Sequence, residues 1–230
     1  MYRRFLNARS PLRLLEKGLH GGLGRGRLGL VLAGPGLGKT SFLVGVALDD
    51  LLRGKPVLHV ALDHNVQHVR DYYDTVFEDL ATSAHLDENH GAVRAEIDKL
   101  RRIRVYPPGA FDAKRLREAL ALEAELGAGP ELVVVDGLDV TDRTPAELEE
   151  WAAAARDAQV EVWMAANASS ERIAELPAAL RPLERSFDVI LAMEPAGDTV
   201  ALRALKDHDN PDVAALHVAL DPKTLLLVRS

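Results

Sequence analysis

The 230-residue chain contains no cysteine. This excludes disulfides, a thiolate nucleophile and every zinc site built on cysteine, and it fits a cytoplasmic protein. No apolar run reaches the roughly 18 residues that a membrane-spanning helix needs. Met1 to Ser10 carries basic side chains but no apolar stretch after them, so no secretory signal is expected. Internal repeats and low-complexity tracts are missing as well. What is present is 47% apolar residues, enough for the core of one α/β domain. The net charge is −7 and it is uneven. Residues 1–30 hold seven basic side chains against Glu16 alone, hence +6, which leaves −13 on the rest. A body this acidic is a poor general binder of nucleic acid, because neutralising phosphate drives that affinity. Residues 1–17 read as a basic N-terminal arm or linker that could meet an acidic protein partner, and residues 18–230 as a single domain.

The chemistry concentrates between Arg27 and Phe42. Leu28 to Ala33 is an apolar run that reads as a buried strand. Gly34-Pro35-Gly36-Leu37-Gly38 can continue neither a strand nor a helix, and Lys39-Thr40-Ser41 opens a helical pattern that runs to about Leu52. A strand, a glycine loop and a helix form the context of a phosphate-binding loop. The glycines let backbone N–H groups turn inward as an anion nest, and the helix start adds unpaired donors and the positive end of its dipole. The Lys39 ammonium can reach β- and γ-phosphate oxygens, and the Thr40 hydroxyl can ligate Mg²⁺. The first position of the eight-residue pattern is Ala33 where glycine is usual; a small residue serves there, since the need is room at the strand end.

Strand and helix patterns alternate along the rest of the chain. Val57–Leu62 reads as a strand, and Val66 to Leu80 carries apolar residues at helical spacing. Residues 81–91 read as a loop, Val93 to Leu100 as a short helix, and Ile103 to Tyr106 as a short strand. Asp112 is an expected N-cap for a helix reaching about Leu126. Leu132 to Val135 has apolar residues for both faces, as a central parallel strand requires. Thr144-Pro145 starts the next helix with a cap and a proline in its first turn. Val160 to Ala166 follows as a strand. Ser170 to Arg185 is expected to be helical, broken at Pro177 and Pro182. The last strands, Phe187–Met193, Thr199–Leu205, Ala214–Leu220 and Thr224–Val228, read as an antiparallel extension of a mostly parallel sheet.

Several polar residues end these strands. Asp136 closes a buried apolar strand, the position of an acid that supports a magnesium shell in phosphate-loop proteins. Asp63 closes the strand before it in the parallel set. Its carboxylate either orients water toward a γ-phosphate or caps the helix from Asn65. His64, His68 and Asp71 share helical spacing and read as surface groups. Asn167 ends another strand and either senses the γ-phosphate or satisfies turn backbone. Lys206 ends a late strand and either reaches a neighbour's nucleotide or is solvated.

Together these stretches resemble the RecA-like ATPases, and within them the KaiC and DnaB-type branch. The resemblance begins at Leu15-Glu-Lys-Gly-Leu-His-Gly-Gly-Leu-Gly-Arg-Gly-Arg27, a lead-in of paired glycines, leucine, then glycine and a basic residue. It runs through the phosphate loop, Leu62-Asp63, Val135-Asp136-Gly137-Leu138 and Phe187 to Leu191, and ends at Leu205-Lys206. It implies a RecA-like P-loop fold with helices on both faces of a mostly parallel central sheet. It also implies ATP and Mg²⁺ as cofactors, and a homo-oligomeric ring or filament with nucleotide near subunit interfaces. A catalytic acid is implied at or beside Asp63, where that branch has glutamate and this chain has Asp63-His64. The late lysine–x–arginine pair that reaches a neighbour's phosphates appears as Lys206-Asp207-His208. An imidazole does not supply the fixed charged fork of a guanidinium. Many related motors place a glutamate after the aspartate of the fourth strand, and this chain has Gly137. The resemblance thus implies secure nucleotide binding by Gly34 to Ser41, with Asp63 and Lys39 as catalytic groups and Thr40 and Asp136 at the metal. The expected function is a slow Mg²⁺-dependent ATPase with a regulatory or signalling role. A non-hydrolysing nucleotide-gated switch or scaffold is the alternative, and a DNA recombination or helicase relative is the third.

Overall fold

Strands with apolar residues on both faces need cover on both, and the computed structural model supplies it. The structure describes residues 12–83, 90–127, 129–168, 170, 172–210 and 215–229. The expected arm lies mostly outside them. Residues 12–18, however, form a helix, α1 (Leu12–Gly18), that buries Leu12 and Leu15 in the core. Those residues, expected as part of the arm, belong to the folded body because their leucines have a hydrophobic face to cover.

The strands are β1 (Leu28–Ala33), β2 (Val57–Ala61), β3 (Arg101–Val105), β4 (Leu132–Asp136), β5 (Glu161–Asn167), β6 (Val189–Ala196), β7 (Thr199–Asp207), β8 (Ala215–Leu220) and β9 (Leu227–Arg229). They make one sheet in the order β3-β2-β4-β5-β1-β6-β7-β8-β9. The pairings from β3 to β6 are parallel and those from β6 to β9 antiparallel. The expected mostly parallel sheet with an antiparallel C-terminal extension is therefore the one found.

Side chains leave alternate faces of a strand. In β1, Val31 and Ala33 enter one apolar cluster while Leu28, Leu30 and Leu32 enter the other. The first face is covered by α1, α2 (Lys39–Leu52), α3 (Val66–Ser83) and α4 (His90–Leu100). The second is covered by α5 (Ala113–Glu125) and α6 (Pro145–Ala158). Phe42 of α2 meets Trp163 of β5 edge-on at 5.6 Å between ring centres. Gly29 is what admits that indole: a Cβ there would lie 2.6 Å from the Trp163 ring. Full burial of each such aromatic contributes roughly 2–3 kcal/mol.

Local signals set the helix starts. Asp112 accepts from the Arg115 N–H, and Thr144 and Glu147 form a reciprocal capping box with Pro145 inside it. The loop expected over 81–91 is shorter at both ends, since α3 continues to Ser83 and α4 begins at His90. Its middle, 84–89, lies outside the described residues. One expectation fails outright. Residues 172–180 form turns, and only Arg181–Ser186 coils, as a 3₁₀ turn. Pro177 and Pro182 each remove a backbone donor and crowd the preceding turn, so a regular helix does not form across them.

Candidate functional site

Ligands of open α/β sheets bind beyond the carboxyl ends of the parallel strands. Four of the sequence-selected positions converge there: Ala33 to Ser41, Asp63, Asp136 and Asn167. Gly34 to Gly38 leaves the end of β1, and Gly38 caps α2 in a left-handed conformation (φ 88°). A Cβ on Gly38 would come within 2.3 Å of Leu220 of β8, so this turn needs glycine for space as well as for its φ. Pro35 and Gly36 are exposed, and Ser41 is buried at the root of α2. The loop thus presents a rim to solvent on a fixed base.

The Lys39 ammonium donates to the Gly34 carbonyl at 3.1 Å and to the Ala33 carbonyl at 3.4 Å. Burial lowers its pKa, and the Asp136 and Asp63 carboxylates oppose that shift. Next to it the Thr40 hydroxyl donates to Asp136 Oδ2 at 2.7 Å. Asp136 is 4% exposed. Burial raises its pKa, the Thr40 bond lowers it, and the nearby Asp63 charge raises it again. A buried carboxylate joined to the first-turn hydroxyl of the phosphate-loop helix fits a magnesium shell: Thr40 and Asp136 are the oxygen donors that would hold the ion.

Sequence reading could not show how close Asp63 comes. Strands β2 and β4 are neighbours, with Ala61 opposite Asp136, and the Leu62 N–H donates to the Asp136 carbonyl at 3.0 Å. Asp63 therefore leans over residue 137. A Cβ on Gly137, whose φ is +81°, would lie 2.6 Å from the Asp63 carboxyl carbon. The glycine that stands where other motors have a glutamate is the space that Asp63 fills. The His64 imidazole lies 3.6 Å from Asp63 Oδ1. His68 stacks on His64 with ring centres 4.3 Å apart, while Asp71 accepts from Gln67. The helical spacing of His64, His68 and Asp71 thus splits, and His64 turns to the strand ends. The Asn65 side chain accepts from the His68 N–H, so Asn65, and not Asp63, caps this turn.

Asn167 is exposed at the end of β5, opposite Ala33 of β1, and so stands at the mouth of the loop. Lys206 does not join this group. It lies opposite Ile190, which in turn lies opposite Leu30, three residues before the strand end. That places it roughly 10 Å down the sheet at 3.3 Å per residue. Its ammonium donates to the carbonyls of Phe187 (2.6 Å) and Glu184 (3.1 Å), toward the opposite pole. At that pole Asp207, 1% exposed, is bonded to His20 at 2.6 Å and to His208 at 2.7 Å. His208 also meets the Leu23 carbonyl at 3.0 Å. This joint between the glycine-rich lead-in and the end of β7 carries no sequence signal, because its partners are 187 positions apart.

No protein-family model and no curated protein matches the chain. Among solved structures, the ATPase domain of a DnaB-like helicase superposes with a TM-score of 0.72 at 16% identity, over 92% of this chain and 87% of that one. The sheet order, the loop after β1 and this likeness establish a RecA-like P-loop fold.

Proposed function

We propose that this protein binds MgATP at the loop Gly34 to Ser41 and hydrolyses it slowly, as a regulatory member of the KaiC and DnaB-type RecA-like ATPases. The observation that carries the reading is the joined Lys39, Thr40 and Asp136 group at the ligand end of the sheet. Loop N–H groups and Lys39 hold the phosphates. Thr40 and Asp136 hold Mg²⁺, which would neutralise charge on the phosphate oxygens. Asp63, half-exposed beside Asp136, is placed to orient the attacking water, and Asn167 faces the same mouth. Assembly as a homo-oligomer, with nucleotide near the subunit interface, belongs to the same proposal.

A second reading, an ATP-gated switch without turnover, has its own support. Asp63 is one methylene shorter than glutamate and is held beside an imidazole. Lys206 and His208, the residues aligned with a neighbour-reaching pair, are tied down within their own chain. Steady-state phosphate release from MgATP separates the two, with Lys39→Ala as the blank. Turnover above the blank supports the ATPase. ATP binding without turnover selects the switch. A DNA-handling role ranks third on the acidic body, and ATP-dependent retention of single-stranded DNA at low salt is its test.

A further inference from the structure

Asp63, His64 and Asp136 each offer one ligand atom, and these atoms lie within 4.8 Å of one another. Donors bound to one ion at about 2.0–2.2 Å sit roughly 3–4.4 Å apart, so small side-chain rotations bring the three into range. The parts that must move are the freer ones. Asp63 and His64 side chains are 50% and 33% exposed, while Asp136 is fixed by burial and by Thr40. Gly137 leaves the room that brings the Asp63 carboxylate inward. Lys39, whose charge both carboxylates attract, is held by the Ala33 and Gly34 carbonyls, which leaves the carboxylates facing His64. His68, stacked on the far side of the ring, limits how far His64 can swing away.

We propose that Asp63, His64 and Asp136 form a site for a divalent transition-metal ion of the Mn²⁺, Co²⁺ or Zn²⁺ class. The donor set decides the class. One imidazole with two carboxylates suits these ions, whereas Mg²⁺ prefers oxygen donors and retains its waters. The site shares Asp136 with the MgATP reading, but its other two donors, Asp63 and His64, are distinct from Thr40 and need no nucleotide. A further position for water on the ion would lie on the exposed side, where Asp63 meets solvent.

The test is titration of the nucleotide-free full chain with Co²⁺, followed by visible absorption. The expected result is a saturable spectrum at one ion per chain. His64→Ala and His64→Gln should each weaken binding by at least about 10-fold, the lower bound set by losses of even outer-shell partners. Asp136→Asn should do the same. His90→Ala, which removes an exposed imidazole bonded to Glu78 far from the strand ends, should titrate like the parent chain. No saturable spectrum, or parent-like titration of both His64 variants, would overturn the site. ATP affinity measured on the same samples is a separate readout: its failure would remove the MgATP reading and leave the metal site standing.

Discussion

Asp63 is the residue on which the rate turns. It sits where a water-orienting acid is needed, with a shorter reach and an imidazole alongside. Asp63→Asn should lower turnover by about 10²-fold or more while leaving ATP affinity unchanged, since a positioned base contributes on that scale. Asp63→Glu should raise turnover if reach is limiting; single-turnover phosphate release measures both. A rate untouched by Asp63→Asn would clear the residue of its role. His59 belongs to the same scale for a different reason. It is fully buried on β2 against Tyr73, and its pKa is lowered to about 3 by burial first, then by Arg101 and His64. The unfolded chain takes up a proton near pH 6.5 that the folded chain refuses. Stability from this group is therefore complete above pH 6.5 and falls as the pH drops toward 3. By pH 5 the loss is about 2 kcal/mol. His59→Gln should flatten that slope in urea unfolding between pH 7 and 5; an unchanged slope would contradict the assignment.

At the scale of elements, two local devices carry measurable energy. The Thr144–Glu147 box starts α6. Thr144→Ala should cost about 1 kcal/mol and lower Tm by roughly 2–4 °C. Gly137 holds the turn after β4. Gly137→Ala would impose a left-handed φ on a residue with a Cβ, costing roughly 1–2 kcal/mol, and would push Asp63 off the strand ends. The expected signature is a lower Tm together with slower turnover and intact ATP affinity. These elements also show what was legible in the sequence. The caps, the phosphate loop and the alternation of strands are written in adjacent residues, so Thr144, Asp112 and Lys39–Thr40 could be read directly. The meeting of Asp63 with Asp136 and Gly137 is not local. It follows from β2 lying beside β4, an order that periodicity does not encode. The stretch from Ser170 to Arg185 has helical composition, but its two prolines decide against a helix. Lys206 reads as a ligand from its place at a strand end, and only the antiparallel direction of β7 reveals that this end faces the other pole.

Across the whole molecule the two ends of the sheet have different electrostatics. The loop end gathers Lys39, Asp63 and Asp136. The opposite end holds Glu161, Asp50, Lys55 and Glu16 close enough to influence one another. The Glu161 pKa is raised from 4.5 to about 7, by burial first and then by Asp50, against Lys55. Between those pH values the folded chain keeps a proton that the unfolded chain releases. Stability from this group therefore falls as pH rises through that window and stays low above it. Glu161→Gln should raise Tm by several degrees at pH 8, on the order of 1–3 kcal/mol, and change it little at pH 4. The His59 and Glu161 slopes oppose each other between pH 4.5 and 6.5, so the parent chain should show a shallow profile there and each variant a tilted one. Among the described residues no helix is long and apolar enough to cross a membrane.

Whether the loop from Gly34 to Ser41 holds ATP decides everything built on it, and isothermal calorimetry of MgATP binding to the parent chain and to Lys39→Ala tests this most directly. Saturable binding to the parent chain is expected, with affinity at least about 10-fold weaker in the variant, the loss of one charge-assisted contact. Equal affinity in the two proteins, or no binding by a folded parent chain, would contradict it.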